Sequence, residues 1–417
     1  MQEDPFITPS ESNGSGLADA LGAALCPAGS PVISAEMLRN PKALSVLRDA
    51  GVTQVSLGGG ENGWMTTRYA TASAVLVKTG LRGEHPMAGS MRTAAQEEVC
   101  DEEQLFFLPT DEHTRLRRMI SRQLTHRRVA GLAERIQREA DQLLDSIPHS
   151  EPVDLIQSFC RPFPVAVLCE LLDIPAPERR YIRNYVYGWV AEYGEASLVT
   201  KSAGIELADY LKTLIAARGE APGDDLITAM LRTGESDSLD EDVLSAIRLL
   251  LVAGHRPVTR LLTEGIEILL ERREEWERIK QDPERLSQVI EELLRYVTPT
   301  TLSSRYASED TVVEDVPLGP GTGIHCALAG VNRDPEKFEH PNTFDPNRTA
   351  NHHLAFGLGH KHCLGAALAR AEIDIALSTL ATRFPHAVLT EKLSDESGRR
   401  QLPVVLAPDL PTCPVRH

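Results

Sequence analysis

Apolar residues recur at helical spacing from residue 242 to about residue 271, with Gly254-His255-Arg256-Pro257 in the middle of the run. Unbroken, some 30 residues of helix would span roughly 45 Å, the width of a whole domain, so other helices must be arranged around it. Proline inside a helix removes one hydrogen bond and crowds the carbonyl four residues back, at about 3 kcal/mol. That carbonyl belongs to Ala253. Either the helix stops here, or something useful sits in the break.

The flanking sequence is mostly helical. Between residues 114 and about 233, periodic apolar segments alternate with Pro, Gly and Asp breakers, and PERLSQVIEELLRYV follows the long run. β-formers flank a Gly/Asn cluster at 52–67, which predicts a strand–turn–strand. Short β-like runs surround a Gly-Pro-Gly turn in TVVEDVPLGPGTGIHCALAG, and a breaker-rich meander, NRDPEKFEHPNTFDPNRTANHH, comes next. Residues 82–103 carry little pattern and read as a loop or short helices. The resulting expectation is a mainly α fold with a small β region, one domain over 31–417, preceded by a disordered or loosely attached lead over 1–30.

Composition removes several classes of function. A net charge of −17 with no basic tail argues against nucleic acid as a partner. No apolar run approaches the roughly 20 residues of a membrane span, and the acidic, polar start is wrong for a signal peptide. Seven scattered cysteines without a CxxC pair make neither a disulfide framework nor a zinc site, which points to a reducing cytoplasm. Basic residues cluster at 113–129, either a solvated helix face or a docking patch for an acidic partner.

Cys363 ends a glycine-punctuated loop, FGLGHKHCLG, directly before a helical segment. Glycines allow close approach to the backbone, and a cysteine at a helix start has its thiolate stabilised by free N–H groups and the dipole. Zinc would need several ligands, and a cysteine nucleophile a held general base. A lone thiolate suits the axial ligand of a haem iron. On the residues alone, haem ligand and structural buried cysteine both stay open, with a cysteine hydrolase more remote.

Three spaced motifs then agree. Phe356-Gly-x-Gly-x-basic-x-Cys363-x-Gly365 resembles the haem-thiolate signature of the cytochrome P-450 superfamily, bacterial soluble type. Glu292-Leu-Leu-Arg295 is similar to its E-x-x-R pair, and the NRDP-to-NRT meander to the segment preceding its haem loop. The resemblance runs from about residue 52 to the last helix. It implies haem b ligated by Cys363, with Phe356 packed beside the sulfur and Gly357 and Gly365 shaping the loop. It also implies Glu292 and Arg295 buried and bonded to the meander, and haem propionates met by His113, Arg117, Arg305 and Lys361. Lys361 stands where the family usually has His or Arg, keeping charge without planar geometry. His360 and His362 read as outward-facing neighbours.

By the same resemblance the long run is the central helix crossing the haem, with Gly254 at its family position. There the family usually has Ala-Gly-x-acid-Thr, and the acid and alcohol help deliver protons during dioxygen activation. Here Arg256 and Pro257 occupy those two places, and the Pro257 break would free the Ala253 carbonyl for water or substrate. The implied activity is oxidation of a small molecule, a specialised-metabolite intermediate, by hydroxylation, ring formation or coupling. Dioxygen is the oxidant, and NAD(P)H supplies electrons through ferredoxin and ferredoxin reductase. Arg115, Arg118, Arg122, Arg127 and Arg128 would form the ferredoxin patch. Substrate is expected near 87–103, 186–200, 250–259 and 298–304. An Arg-Pro pair is also similar to the fatty-acid peroxygenase branch, so a peroxide-driven enzyme with Arg256 holding a substrate carboxylate is the second reading. A salt bridge from Arg256 to a protein acid is the structural alternative, and a non-catalytic haem-binding protein the third reading.

Overall fold

The computed structural model describes residues 11–57, 62–83, 110–148, 151–190, 198–232, 239–390 and 400–407. They divide into two compact units, Met1–Ala88 with Leu294–Cys363, and Gly89–Leu293 with Leu364–His417. Helices dominate and the sheets are small, as the sequence pattern predicts.

In the first unit six strands pair in the order Val32–Ile33, Thr53–Leu57, Asn62–Thr66, Gly323–Cys326, Ser303–Ala307, Leu81–Arg82. The strand–turn–strand expected over 52–67 is an antiparallel pair with Thr53 opposite Met65. Val55 and Met65 are fully buried and join Ile33, Leu44 and Leu47 in one apolar cluster. Ile324 and Cys326, two apart on their strand and so on one face, pack with Val75 and Leu76 of the helix Tyr69–Val77. The Gly-Pro-Gly stretch turns as predicted, with Gly321 at φ 86° between the strands Val316–Leu318 and Gly323–Cys326. Of the loose lead expected over 1–30, residues 1–10 lie outside the described residues. Glu11–Leu21 is a helix and Ala18 on it is buried, because Leu17, Ala18 and Leu21 give that segment an apolar side.

The second unit is built about the helix Leu239–Leu270, 32 residues long and uninterrupted at Pro257. Asp240, Glu241 and Asp242 crowd its first turn, where the helix dipole favours negative charge. Val243, Ile247, Leu251, His255, Val258, Leu262, Ile266 and Leu269 form a buried stripe at three- and four-residue spacing. Burial of each aliphatic side chain among them contributes about 1.5–3 kcal/mol, so the stripe outweighs the roughly 3 kcal/mol cost of the proline. The helices Pro162–Leu171, Leu198–Glu220 and Ala366–Arg383 pack against it. Arg370 on the last of these forks onto Glu291 at 2.6 and 2.9 Å. Among the described residues no helix is long and apolar enough to cross a membrane.

The helix Pro283–Val297 carries Glu292 and Arg295, three apart and both without exposure. Arg295 Nη1 donates to the carbonyls of Asn332 at 2.9 Å and Pro341 at 2.8 Å, and Nη2 to that of Thr343 at 3.0 Å. The guanidinium also stands over the Phe338 ring, 5.3 Å from its centroid. Thus one cation ties down a meander that has no ladder of its own. Replacing Arg295 with Ala takes a donor from three carbonyls at once, of which that of Thr343 keeps Arg348. It should lower stability by about 3–5 kcal/mol in thermal or denaturant unfolding, with Arg295→Lys recovering only part, since an ammonium cannot fork onto all three.

Candidate functional site

Cys363 is exposed at the end of its loop and its backbone N–H donates to the Phe356 carbonyl at 2.9 Å. Gly357 and Gly359 both adopt left-handed backbone, at φ 71° and 73°. A Cβ on Gly359 would stand 3.1 Å from the Leu76 carbonyl, so this turn needs glycine for space as well. Phe356 is half-buried between the imidazoles of His353 and His362, centroids 6.2 and 6.3 Å away. His360 and His362 are exposed. The helix Ala366–Arg383 begins after Gly365, and no atom lies within 4 Å of where a Gly365 Cβ would sit.

The other described cysteines contrast with this one. Burial pushes the thiols of Cys160, Cys169 and Cys326 up to about 12, so they stay protonated, inert core residues. Cys26 is half-buried, and Cys100 and Cys413 lie outside the described residues. Among the described residues no cluster of three or more His, Cys, Asp or Glu is placed to hold a metal ion, so a zinc-type site is not formed. A single thiolate in a glycine loop remains a good donor for an iron that brings its own equatorial ligands.

Arg305 is a buried cation, 4% exposed. Its Nη1 donates to Ser303 Oγ at 3.2 Å and to the Ser304 carbonyl at 2.8 Å, while Nε has no partner among the described residues. Burial pulls its guanidinium below the usual arginine range. A cation in this position calls for an anion, and a haem propionate would fit it. Lys361 is half-buried and lies across Gly83, where a Cβ would come 2.9 Å from its Cε. Both are in the first unit with Phe356, Gly357, Arg295 and Cys363, whereas His113, Arg117, Gly254, Arg256, Pro257, Glu292 and Gly365 belong to the second. Arg117 is half-buried on the helix Thr110–Ser121, and the His113 side chain lies outside the described residues. Of the expected docking arginines, Arg118, Arg122, Arg127 and Arg128 are exposed, while Arg115 pairs with Asp242 at 2.9 Å.

At the middle of the long helix, Ala253 is exposed although Leu251 and His255 are buried, and Pro257, one turn on, shares its side. That is an open face on an otherwise packed element. Gly254 looks elsewhere: a Cβ on it would meet Leu168 at 3.2 Å, so its smallness serves close packing with Pro162–Leu171. Arg256 is half-buried. Sequence reasoning passed over His255, which is 2% exposed with Nδ1 2.6 Å from the Leu251 carbonyl. A carbonyl only accepts, so Nδ1 carries the proton and the buried, unpartnered Nε2 is left as an acceptor. A periodic histidine in an apolar stripe carries no signal that separates it from core. Of the expected substrate regions, 87–103 and 191–197 lie outside the described residues.

Residues 243–411 match the family model described as Cytochrome P450. The chain is 33% identical over 376 residues to Cytochrome P450 105C1 of a Streptomyces species, covering 89% of this chain and 94% of the relative. It is 33% identical over 293 residues to 6-deoxyerythronolide B hydroxylase of Saccharopolyspora erythraea, covering 70% and 72%. Among solved structures, P450BioI in complex with an acyl carrier protein bearing hexadec-9Z-enoic acid matches with a TM-score of 0.79 at 28% identity, covering 89% of this chain and 99% of that one.

His255 makes stability depend on pH with a definite sign. Burial pushes its imidazole down to about 4, and the charges of Arg256 and Arg161 press the same way. The unfolded chain therefore takes up a proton near 6.5 that the folded chain refuses until about 4. Stability contributed by this group is full above 6.5, falls between 6.5 and 4, and is flat below, a loss of about 3 kcal/mol. Denaturant titrations at pH 7 and pH 5 should show about 2 kcal/mol of this loss in the native protein, and His255→Phe should narrow the difference between the two curves.

Proposed function

The chain belongs to the cytochrome P450 family, and we propose that it oxidises a specialised-metabolite intermediate without the acid–alcohol pair usual in that family. Membership makes it a monooxygenase-type oxidoreductase that uses haem and dioxygen on a small molecule. Haem, when bound, supplies the iron at which dioxygen is activated. Cys363 would give the sulfur ligand, with Phe356 keeping it dry. Arg305 and Lys361, together with Arg117 and His113, would neutralise the propionates. The exposed Arg118, Arg122, Arg127 and Arg128 would receive an acidic ferredoxin, itself reduced from NAD(P)H by a reductase.

The observation carrying this reading is the uninterrupted helix through Arg256 and Pro257 beside the open Ala253 face. Arginine keeps its charge at any working pH and proline has neither N–H nor hydroxyl, so neither relays a proton. Protons must then come from substrate groups or from water admitted at that face. A substrate hydroxyl or carboxyl is the economical source, which suits ring formation and coupling as well as hydroxylation. The relative that hydroxylates 6-deoxyerythronolide B supports the specialised-metabolite assignment.

The second reading, a peroxide-driven enzyme with Arg256 holding a substrate carboxylate, draws on one observation. Arg161 and Arg256 both lie near enough to press their charge on His255. Candidate polyketide-type substrates should be turned over with ferredoxin, reductase and NAD(P)H under air, and product should vanish without dioxygen. Product with hydrogen peroxide alone, lost in Arg256→Ala, would move the assignment to the second reading. A normal thiolate spectrum without product from either oxidant would leave a haem-binding protein.

A further inference from the structure

We propose that Asn332 is a positioning residue for the Cys363 loop, its side-chain amide fixing where the sulfur is presented to iron. The inference rests on the haem-thiolate reading above.

Asn332 opens the NRDP stretch, a landmark in the sequence with no evident task. Its side chain is fully buried and both ends are used. Oδ1 accepts from the Leu354 N–H at 2.7 Å, and Nδ2 donates to Thr298 Oγ1 at 2.9 Å. Thr298 Oγ1 in turn donates to the Arg295 carbonyl at 2.7 Å, and Arg295 Nη1 donates to the Asn332 carbonyl at 2.9 Å. Arg295, Asn332 and Thr298 thus close a buried ring. Thr298 holds φ 44° there, a left-handed conformation that a β-branched residue adopts only when its surroundings dictate it.

From that ring one bond reaches the loop. Leu354, gripped through its N–H, accepts from the Gly357 N–H at 2.9 Å, and the Phe356 carbonyl inside that turn accepts from the Cys363 N–H at 2.9 Å. The path therefore runs from a buried cation to the backbone of the ligand residue. The next two residues support it. Arg333 donates to the Tyr296 carbonyl at 2.8 Å, and Asp334 Oδ2 accepts from the Tyr69 N–H at 2.7 Å. Asp334 thereby anchors the start of the helix Tyr69–Val77, whose far end meets Gly359. Asparagine is the side chain the position demands: one acceptor and one donor, at short reach.

The test uses holoenzyme and reads the reduced carbon-monoxide spectrum, haem transfer to an acceptor protein, and thermal unfolding. Asn332→Ala should convert much of the red-shifted thiolate band to the blue-shifted band of haem without thiolate, and release haem about 10–100-fold faster. Asn332→Asp, isosteric and still offering an acceptor to Leu354, should keep the thiolate band. Thr298→Val, which cuts only the distant arm, should lower the melting temperature and keep the band. The proposal is overturned if Asn332→Ala loses stability alone, with native band and haem release, or if Asn332→Asp loses the band as Ala does. Should Asn332→Ala not fold, Asn332→Asp and Thr298→Val decide, band loss in either being adverse and retention in both supporting. A native protein without the thiolate band would instead sink the haem-thiolate reading itself.

Discussion

The buried guanidinium of Arg295 is the interaction on which the candidate site depends. The meander has no ladder of its own, so its carbonyls must find donors elsewhere or remain unsatisfied. Arg295 supplies them from within, and Arg348 from the surface, donating to the carbonyls of His340 and Thr343 at 2.9 and 3.2 Å. Both arginines therefore converge on Thr343, with the buried rings of Phe338 and Phe344 filling the space inside. The carbonyls of three separate residues thus share this one buried cation. That arrangement fixes geometry, because each fork direction is committed to a different residue.

The long helix meets a different problem. A proline at its centre removes a donor, and Gly254 in the turn before it further weakens helical preference. Neither breaks the helix, since the buried stripe continues on both sides and Gly254 lets Leu168 approach closely. What changes is the chemistry of the open side. On that side stand Arg256, half-buried, and Pro257, which has neither an N–H nor a hydroxyl to donate. The neighbouring His255 is held neutral chiefly by its burial, with the Arg256 charge pressing the same way.

Much of this was legible in the sequence, and the reasons differ by element. The hairpin at 53–66, the length of the central helix and the cysteine loop announced themselves through local pattern, because period, turn residues and glycine placement are local physics. Arg295 was legible through its spacing from Glu292 and the family resemblance. Asn332 and Asp334 were not, although both stood in a quoted motif. Their partners, Leu354 and Tyr69, lie 22 and 265 residues away, and no periodicity encodes a polar bond across such a distance. The packing of Gly254 on Leu168 was hidden for the same reason. The helix over 11–21 was hidden because polar composition masked a short apolar face around Ala18.

Arg305 shows how such a scaffold and its prosthetic group become coupled. A buried charge met, among the described residues, by one hydroxyl and one main-chain carbonyl is left short of compensation, and an Nε without a partner among them adds the cost of an unmade hydrogen bond. Arg115, by contrast, already has Asp242 and sits half in water. An anionic group arriving at Arg305 would remove a penalty the fold otherwise carries, so its binding free energy would contain part of the folding free energy. The more completely the protein's own polar atoms satisfy the Cys363 loop, as the ring around Asn332 does, the less that loop needs to reorganise when the group arrives. Fixed loop and strained cation then act in the same direction: the first lowers the ordering cost of binding, the second raises the gain.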